Sequence, residues 1–435
     1  MLPPNLKWTG PVAHRTMEGE RVSYDTGDTA WVLTSAALVL FMTPGLALFY
    51  GGMVRTKNVL AMLMNNFWCL GIVSVLWAAG VYSLAFSGGG GFIGNLDLGW
   101  MSGALDTPAT GLEGLTIPPF AFMAFQMMFA IITPALITGA ITDRIRWAAW
   151  AWFVPIWLLV VYTPVAHWVF SPSGWLFKEG ALDFAGGTVV HINAGIAALA
   201  AVIVLGKRKG WPAHPMPPHN LPLTLIGAGI LWFGWFGFNA GSALGGNELA
   251  ATALVNTHMA AAAALCGWLL VERLRGGHAT TLGAASGLVA GLVAITPCAG
   301  FVGGMSPIYI GLIAGALCAL AVGLKNKFGY DDSLDVVGVH LVGGIIGSLL
   351  LGVFADTAYN SAGTDGLVES GTFDLLGKQA LAVGATIVWS GLLTTAILLV
   401  LKVALPKGIR VDEEDEDTGL DLTQHSETGY ALDRV

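Results

Sequence analysis

Apolar stretches of about 18 or more residues, long enough to cross a hydrocarbon layer of roughly 30 Å as helices, recur along the whole chain. Eleven can be read: 31–52, 59–86, 118–141, 148–170, 184–205, 221–239, 249–271, 279–298, 307–324, 336–355 and 376–403. The pattern predicts an all-α integral membrane protein. The 59–86 run is longer than one straight crossing needs, which predicts a tilted helix. Polar residues gather in the connections, and glycine is the commonest punctuation. Its 59 copies among 435 residues fit helices that approach closely where lipid gives no drive for association.

The basic residues orient these spans. Eleven Lys/Arg fall in the connections after spans 1, 3, 5, 7 and 9, and only Lys178 and Lys378 in those after spans 2, 4, 6, 8 and 10. The richer set belongs in the cytoplasm, so the N-terminus is expected outside and the C-terminus inside. Residues 1–30 hold no apolar core of signal-peptide length and are expected as a short translocated segment. The membrane unit is then 31–403, followed by an acidic tail, 404–435.

Charge sharpens that division. Only 11% of the residues are charged, against roughly 25% in soluble domains. Nine acids and one base lie between Asp412 and Val435, which accounts for the whole net charge of −8. The body is neutral and the tail acidic. This composition argues against a soluble enzyme, a nucleic-acid binder and a disordered protein. Cys69, Cys266, Cys298 and Cys318 all lie in apolar spans without disulfide or zinc spacing, and are expected as ordinary core residues.

An internal echo suggests chemistry. Asp183-Phe-Ala-Gly-Gly-Thr-Val-Val-His191 and Asp335-Val-Val-Gly-Val-His340 each put an acid at a span entrance and a histidine inside. They open spans 5 and 10, which run in opposite directions, as in an inverted repeat whose substrate site lies near the midplane. His191 sits about 12 Å from one face and His340 about 8 Å from the other at 1.5 Å per residue. Both imidazoles therefore approach the middle, where an ionisable group is costly and points to function. His167 and His258 lack such company and read as structural. His14, His214, His219, His278 and His425 lie in loops or the tail and carry no signal.

These residues identify a resemblance. Pro44-Gly-Leu-Ala-Leu-Phe-Tyr-Gly-Gly52, Thr138-Gly-Ala-Ile-Thr-Asp-Arg-Ile-Arg146, Gly234-Trp-Phe-Gly-Phe-Asn-Ala-Gly-Ser242 and Thr296-Pro-Cys-Ala-Gly300, with the two histidine segments, resemble the Amt/Mep/Rh ammonium transporters, most closely the prokaryotic Amt branch. The resemblance implies eleven helices, two five-helix inverted repeats plus a final helix. It implies a pore histidine pair at His191 and His340, and a phenylalanine gate at Phe129 and Phe238. The outer ammonium vestibule falls on Phe125, Ser242 and the aromatic ending span 4, with Asp183 as an ordering carboxylate beneath. Many relatives carry Trp at that aromatic position. Here Phe170 takes it, with Trp168 or Trp175 as possible substitutes. Trp is the strongest cation–π partner, so cation recruitment is expected to be weaker.

The implied function is transport of ammonium or ammonia, with methylammonium as an analogue, across the cytoplasmic membrane. No cofactor, metal or enzymatic activity is expected; no H-E-x-x-H or G-x-S-x-G occurs. The resemblance further implies a homotrimer in membrane lipid. Gly408 to Val411, Gly419 to Asp421, His425 and Tyr430 resemble a tail on which a P-II-type signalling protein docks. An ammonium sensor with little conduction is the alternative, as are a transporter of another small substrate and an intramembrane hydrolase.

Overall fold

The computed structural model describes residues 16–17, 20–21, 23–103 and 107–430. Ten of its helices are long and apolar enough to cross a membrane. In chain order these are α1 (Thr26–Met53), α2 (Thr56–Phe86), α3 (Pro119–Ile141), α4 (Trp147–Glu179, broken after Phe170), α5 (Gly187–Leu205), α6 (Leu221–Gly241) and α7 (Glu248–Gly276). After the shorter apolar helix α8 (Thr281–Ile295) come α9 (Ser306–Phe328), α10 (Val337–Phe354) and α11 (Asp374–Ala404). All eleven apolar stretches of the sequence are thus helical. The β structure among the described residues is a two-residue ladder, Thr16–Met17 with Glu20–Arg21, and two isolated bridges.

Local chemistry sets the ends. Asp25, Asn220, Asn247 and Thr280 each accept an N–H from the first turn of α1, α6, α7 and α8, satisfying donors that a helix start leaves unpaired. The long second stretch carries a π-helical turn at Trp77–Val81 in addition to any tilt. Further π turns fall at Leu158–Tyr162, Gly187–Ile192 and Val337–Leu341.

Small residues bring the helices together. A Cβ on Gly227 would lie 2.2 Å from Phe49 N, and one on Gly315 2.1 Å from Ala264 O. Those contacts draw α6 onto α1 and α9 onto α7 at backbone distance. Cys69, Cys298 and Cys318 are buried and unpaired. Cys266 departs from expectation, since it lies exposed on α7.

The acidic tail folds back on the basic loops. Ile145 bridges Arg410, and Val411 N donates to Arg144 O at 3.0 Å. Two short helices follow, α12 (Glu413–Thr418) and α13 (Leu420–His425). Buried Glu416 accepts from Lys209 N at 2.7 Å and from Arg410 Nη2 at 2.9 Å. Asp421 accepts from Ala61 N at 2.8 Å, and Leu420 N donates to Asn58 Oδ1 at 2.8 Å. Two histidines without signal in the sequence, His219 in a loop and His425 at the end of α13, anchor this tail. His219 contacts Val54 O and the Tyr430 hydroxyl at 2.8 and 2.9 Å, and His425 packs edge-on against Trp147.

Candidate functional site: a histidine pair beneath a closed aromatic gate

Two helices that open on capping carboxylates, half-buried Asp183 and buried Asp332, hold the centre of the bundle. Asp183 Oδ1 accepts from Gly186 N and Gly187 N, both at 2.7 Å, and Oδ2 from Thr188 N at 2.8 Å and from the Thr188 hydroxyl. Its oxygens are thereby spent on the start of α5. At the other face it is Asp332 that accepts from Val336 N at 3.1 Å and Val337 N at 2.7 Å at the start of α10. The internal repeat therefore pairs Asp183 with Asp332 rather than Asp335, which instead bonds Lys325 at 2.6 Å. Measured from the capping acid, both histidines then lie eight residues on. That equal spacing was the signal available in the sequence.

Each histidine occupies a π turn, an irregularity that often re-aims a functional side chain. The two Nδ1 atoms lie 3.3 Å apart, with ring centroids at 5.4 Å and planes within 22°. Both side chains are buried. A shared N–H···N bond requires one ring to carry its proton on Nδ1 and the other on Nε2. One Nε2 is then an acceptor and the other a donor. His191 Nε2 has no partner within the protein, so it remains free for a guest.

Trp235 fixes one ring of the pair. It stacks on His191 at 5.4 Å and 19°, while its indole N–H donates to Thr296 Oγ1 at 2.9 Å. The histidines border a narrow cavity of about 10 Å³, room for roughly one water-sized guest, whose other walls are Met42, Leu46, Phe49, Ile132, Leu136, Val190, Leu231, Trp235, Phe238 and Val289. Apart from the imidazoles and the indole N–H, which is already bonded, that lining is hydrocarbon and thioether. Trp235 and Thr296 were legible in the sequence only as parts of longer motifs.

Phe238 closes this cavity towards the face opposite the tail. It packs against Phe129 with centroids 4.2 Å apart and planes at 30°. Beyond them opens a second, wider cavity of about 200 Å³. Its polar lining is Gln126, Asp183 and Ser242, and its aromatic lining is Phe122, Phe129, Phe170, Phe177 and Phe184. Ser242 donates its hydroxyl proton to Phe238 O at 2.9 Å, so lone pairs are what it has left to offer.

Phe170 lines this cavity and stands edge-on to Phe129 at 6.4 Å. Trp168 does not line it: its indole donates to Phe92 O, and its ring packs against Phe92, Trp175 and Trp389. Phe125 also differs from expectation. It is fully buried, stacked edge-on against Phe129 at 5.0 Å and tight against Gly241, and lies behind the cavity wall. On α3 the residues turned inward are Phe122, Gln126 and Phe129, a helical spacing of four and three. His167 holds Ala85 O and Gly90 O at 2.8 and 2.9 Å, a structural role. Among the described residues no cluster of three or more His, Cys, Asp or Glu could hold a metal ion.

The same helices recur in known proteins. A family model described as "Ammonium Transporter Family" matches residues 30–430. An ammonium transporter of Mycobacterium tuberculosis (strain ATCC 25618 / H37Rv) is 51% identical over 437 residues, covering 93% of this chain and 90% of that protein. The crystal structure of Saccharomyces cerevisiae Mep2 superposes with a TM-score of 0.83 at 35% identity, covering 90% of this chain and 89% of the yeast chain. A solved "Sensor Amt Protein" gives a TM-score of 0.83 at 32% identity, over 91% and 97% of the two chains. The helical membrane architecture and these matches together make the chain a member of the ammonium transporter family.

Proposed function

We propose that this protein carries ammonium across the cytoplasmic membrane by binding the cation outside and conducting ammonia through its apolar cavity. In this reading the eleven apolar helices all span. They form two inverted five-helix repeats plus α11, with residues 1–30 outside and the tail of 404–435 inside. The wider cavity opens outwards. Aromatic faces and the lone pairs of Ser242 replace part of the hydration shell of ammonium. Asp183 adds a fixed negative charge without touching the cation. Phe129 and Phe238 bar hydrated ions.

Ammonium and potassium ions share size and charge, so a charged sieve separates them poorly. Ammonium alone can shed a proton and continue as a small neutral molecule. In the hydrocarbon-walled cavity an intact cation is expensive and ammonia is not. The opposed tautomers of His191 and His340 offer ammonia one donor and one acceptor. The observation that carries this reading is the buried 3.3 Å histidine contact behind a closed phenylalanine pair. Passing the released proton along the histidines makes transport electrogenic; returning it outside makes it neutral.

Electrical recording from protein reconstituted in vesicles, under an ammonium gradient with no other permeant ion, tests this. Ammonium uptake that is lost or loses selectivity over potassium in both His191→Ala and His340→Ala supports the pore. Uptake unchanged in both overturns it. A current accompanying uptake marks the electrogenic form. A second reading, an ammonium sensor with little conduction, draws on the likeness to the sensor Amt structure; ligand binding without uptake would favour it. The protein is taken to work as a homotrimer in lipid. Its folded acidic tail, set against the basic loops, is the proposed place for a P-II-type signalling protein.

A further inference from the structure

The wider cavity contains a polar group that the reading above leaves unused. Gln126 sits on α3 between Phe122 and Phe129 and lines the cavity with Asp183 and Ser242. Its carboxamide oxygen has no hydrogen-bond partner among the described residues and is closed off even to a water-sized guest in this orientation of the side chain. A buried amide oxygen left unpaired is a cost that folded proteins seldom carry without a reason. The other two polar groups frame its part. Asp183 has committed its oxygens to the start of α5, and Ser242 has committed its proton to Phe238 O. Acceptors for a cation's N–H groups are therefore scarce: the Ser242 lone pairs and the Gln126 oxygen.

We infer that Gln126 is a specificity-determining ligand of the cation in this cavity, its carboxamide oxygen accepting one N–H of ammonium while Ser242 accepts another. This rests on the transport reading and names a residue of the same site. Ammonium has four N–H groups in a tetrahedron. Two acceptors at fixed places, with aromatic faces on the remaining sides, suit a directional donor better than a spherical ion. Turning the amide about its last side-chain bond brings that oxygen to the cavity, and a cation itself selects the orientation with oxygen inward. The position is also well placed for transfer to the gate, because Gln126 lies one helical turn from Phe129.

The test is concentration-dependent ammonium uptake by vesicles holding wild type, Gln126→Leu and Gln126→Glu, with potassium as competitor. Leucine keeps the bulk and removes the acceptor. Its half-saturating ammonium concentration should rise roughly ten-fold, about one hydrogen bond to a charged group, with the maximal rate largely kept. Potassium should compete better in Gln126→Leu than in wild type. Glutamate keeps an acceptor and should bind ammonium at least as tightly as wild type. Wild-type half-saturation and unchanged potassium competition in Gln126→Leu would overturn the assignment, as would equal weakening in both variants, which would mark a packing role. Either result leaves wild-type transport intact, whereas wild-type vesicles that take up no ammonium would instead defeat the reading on which the inference stands.

Discussion

The histidine pair is held together by glycines, and adding one carbon should pull it apart. Gly195 lies one turn beyond His191 on α5, and Gly344 one turn beyond His340 on α10. A Cβ on Gly195 would fall 2.4, 2.6 and 2.7 Å from N, Cα and Cβ of Leu341, the residue that follows His340. Ordinary van der Waals contact begins near 3.4 Å, and the nearest atoms are backbone, which cannot swing aside. The two helices must part by about 1 Å in a close-packed interior. The imidazole contact is already 3.3 Å long, at the far end of hydrogen-bond range, and would be lost. The strain costs about 1–3 kcal/mol, and a misplacement of about 1 Å at a reacting centre is worth up to about a hundred-fold in rate. For Gly344→Ala the nearest atom is a side-chain carbon of Ile192 at 2.9 Å, with backbone no closer than 3.1 Å, so its effect should be smaller. Gly384→Ala on α11 meets nothing within 4 Å and serves as control. Ammonium uptake by vesicles, with size-exclusion profiles as a check on folding, should fall at least about ten-fold for Gly195→Ala, less for Gly344→Ala, and not at all for the control. Well-folded Gly195→Ala protein transporting at the wild-type rate would refute the argument, as would a control that fails equally.

Phe170→Trp should strengthen recruitment: Trp offers the strongest face in an interaction worth about 0.5–2 kcal/mol in all, so half-saturation should drop by at most a few-fold in the same uptake assay. No change would mean that the ring at this position does not face the cation. Tail docking should depend on pH through His425. Burial lowers its pKa below the usual 6.5, against the opposing pull of Asp421 and Glu427. The released tail then binds the proton first, and docking weakens as pH falls below about 6.5. Asp421, whose pKa burial raises, favours docking as acid increases, in the more acidic carboxylate range. Hydrogen exchange across 412–430, corrected for intrinsic rates, should show lost protection between about pH 7.5 and about 5.5, and His425→Gln should flatten that response.

How far these features were legible depends on what kind of signal each leaves. A helix that crosses lipid must be apolar along about 20 residues, so each stretch could be read, even α8, whose regular helix is only 15 residues long. His191 and His340 were legible because each follows an acid at the entrance of a span and the two spans run in opposite directions, company that His167 and His258 lack. The partner of Asp183 was misassigned because Asp332 and Asp335 stand three residues apart and only the hydrogen bonds tell a cap from an ion pair. Phe125 was assigned to the outer vestibule through the family resemblance, and sequence does not decide which of two neighbouring rings on one helix reaches the opening. Gln126 left no signal at all. An unpaired oxygen exists only once its surroundings are built.

If ammonia is the conducted species, as proposed, the twin capping acids account for two helix starts flanking an apolar cavity. A helix N-terminus carries about half a positive charge, and two of them aimed at the centre would repel a cation at each mouth. A carboxylate whose oxygens are absorbed by the first N–H groups cancels that charge where it arises, leaving no free anion to trap ammonium inside. The two ends nevertheless differ. Asp183 adjoins the wider aromatic cavity, so its residual field would be felt by a cation arriving there. Asp332 is buried among the basic loops beside Lys325 and Asp335, and burial together with the Asp335 charge lifts its pKa to about 6. Its folded-state pKa thus lies above the ordinary 3.8, so this cap's contribution to stability is greatest in acid and declines as pH rises through about 6. On the proposed reading, the two capped helix starts therefore divide the work: cation binding falls to the side of Asp183, and the tail face is left to charge neutralisation by loops and tail.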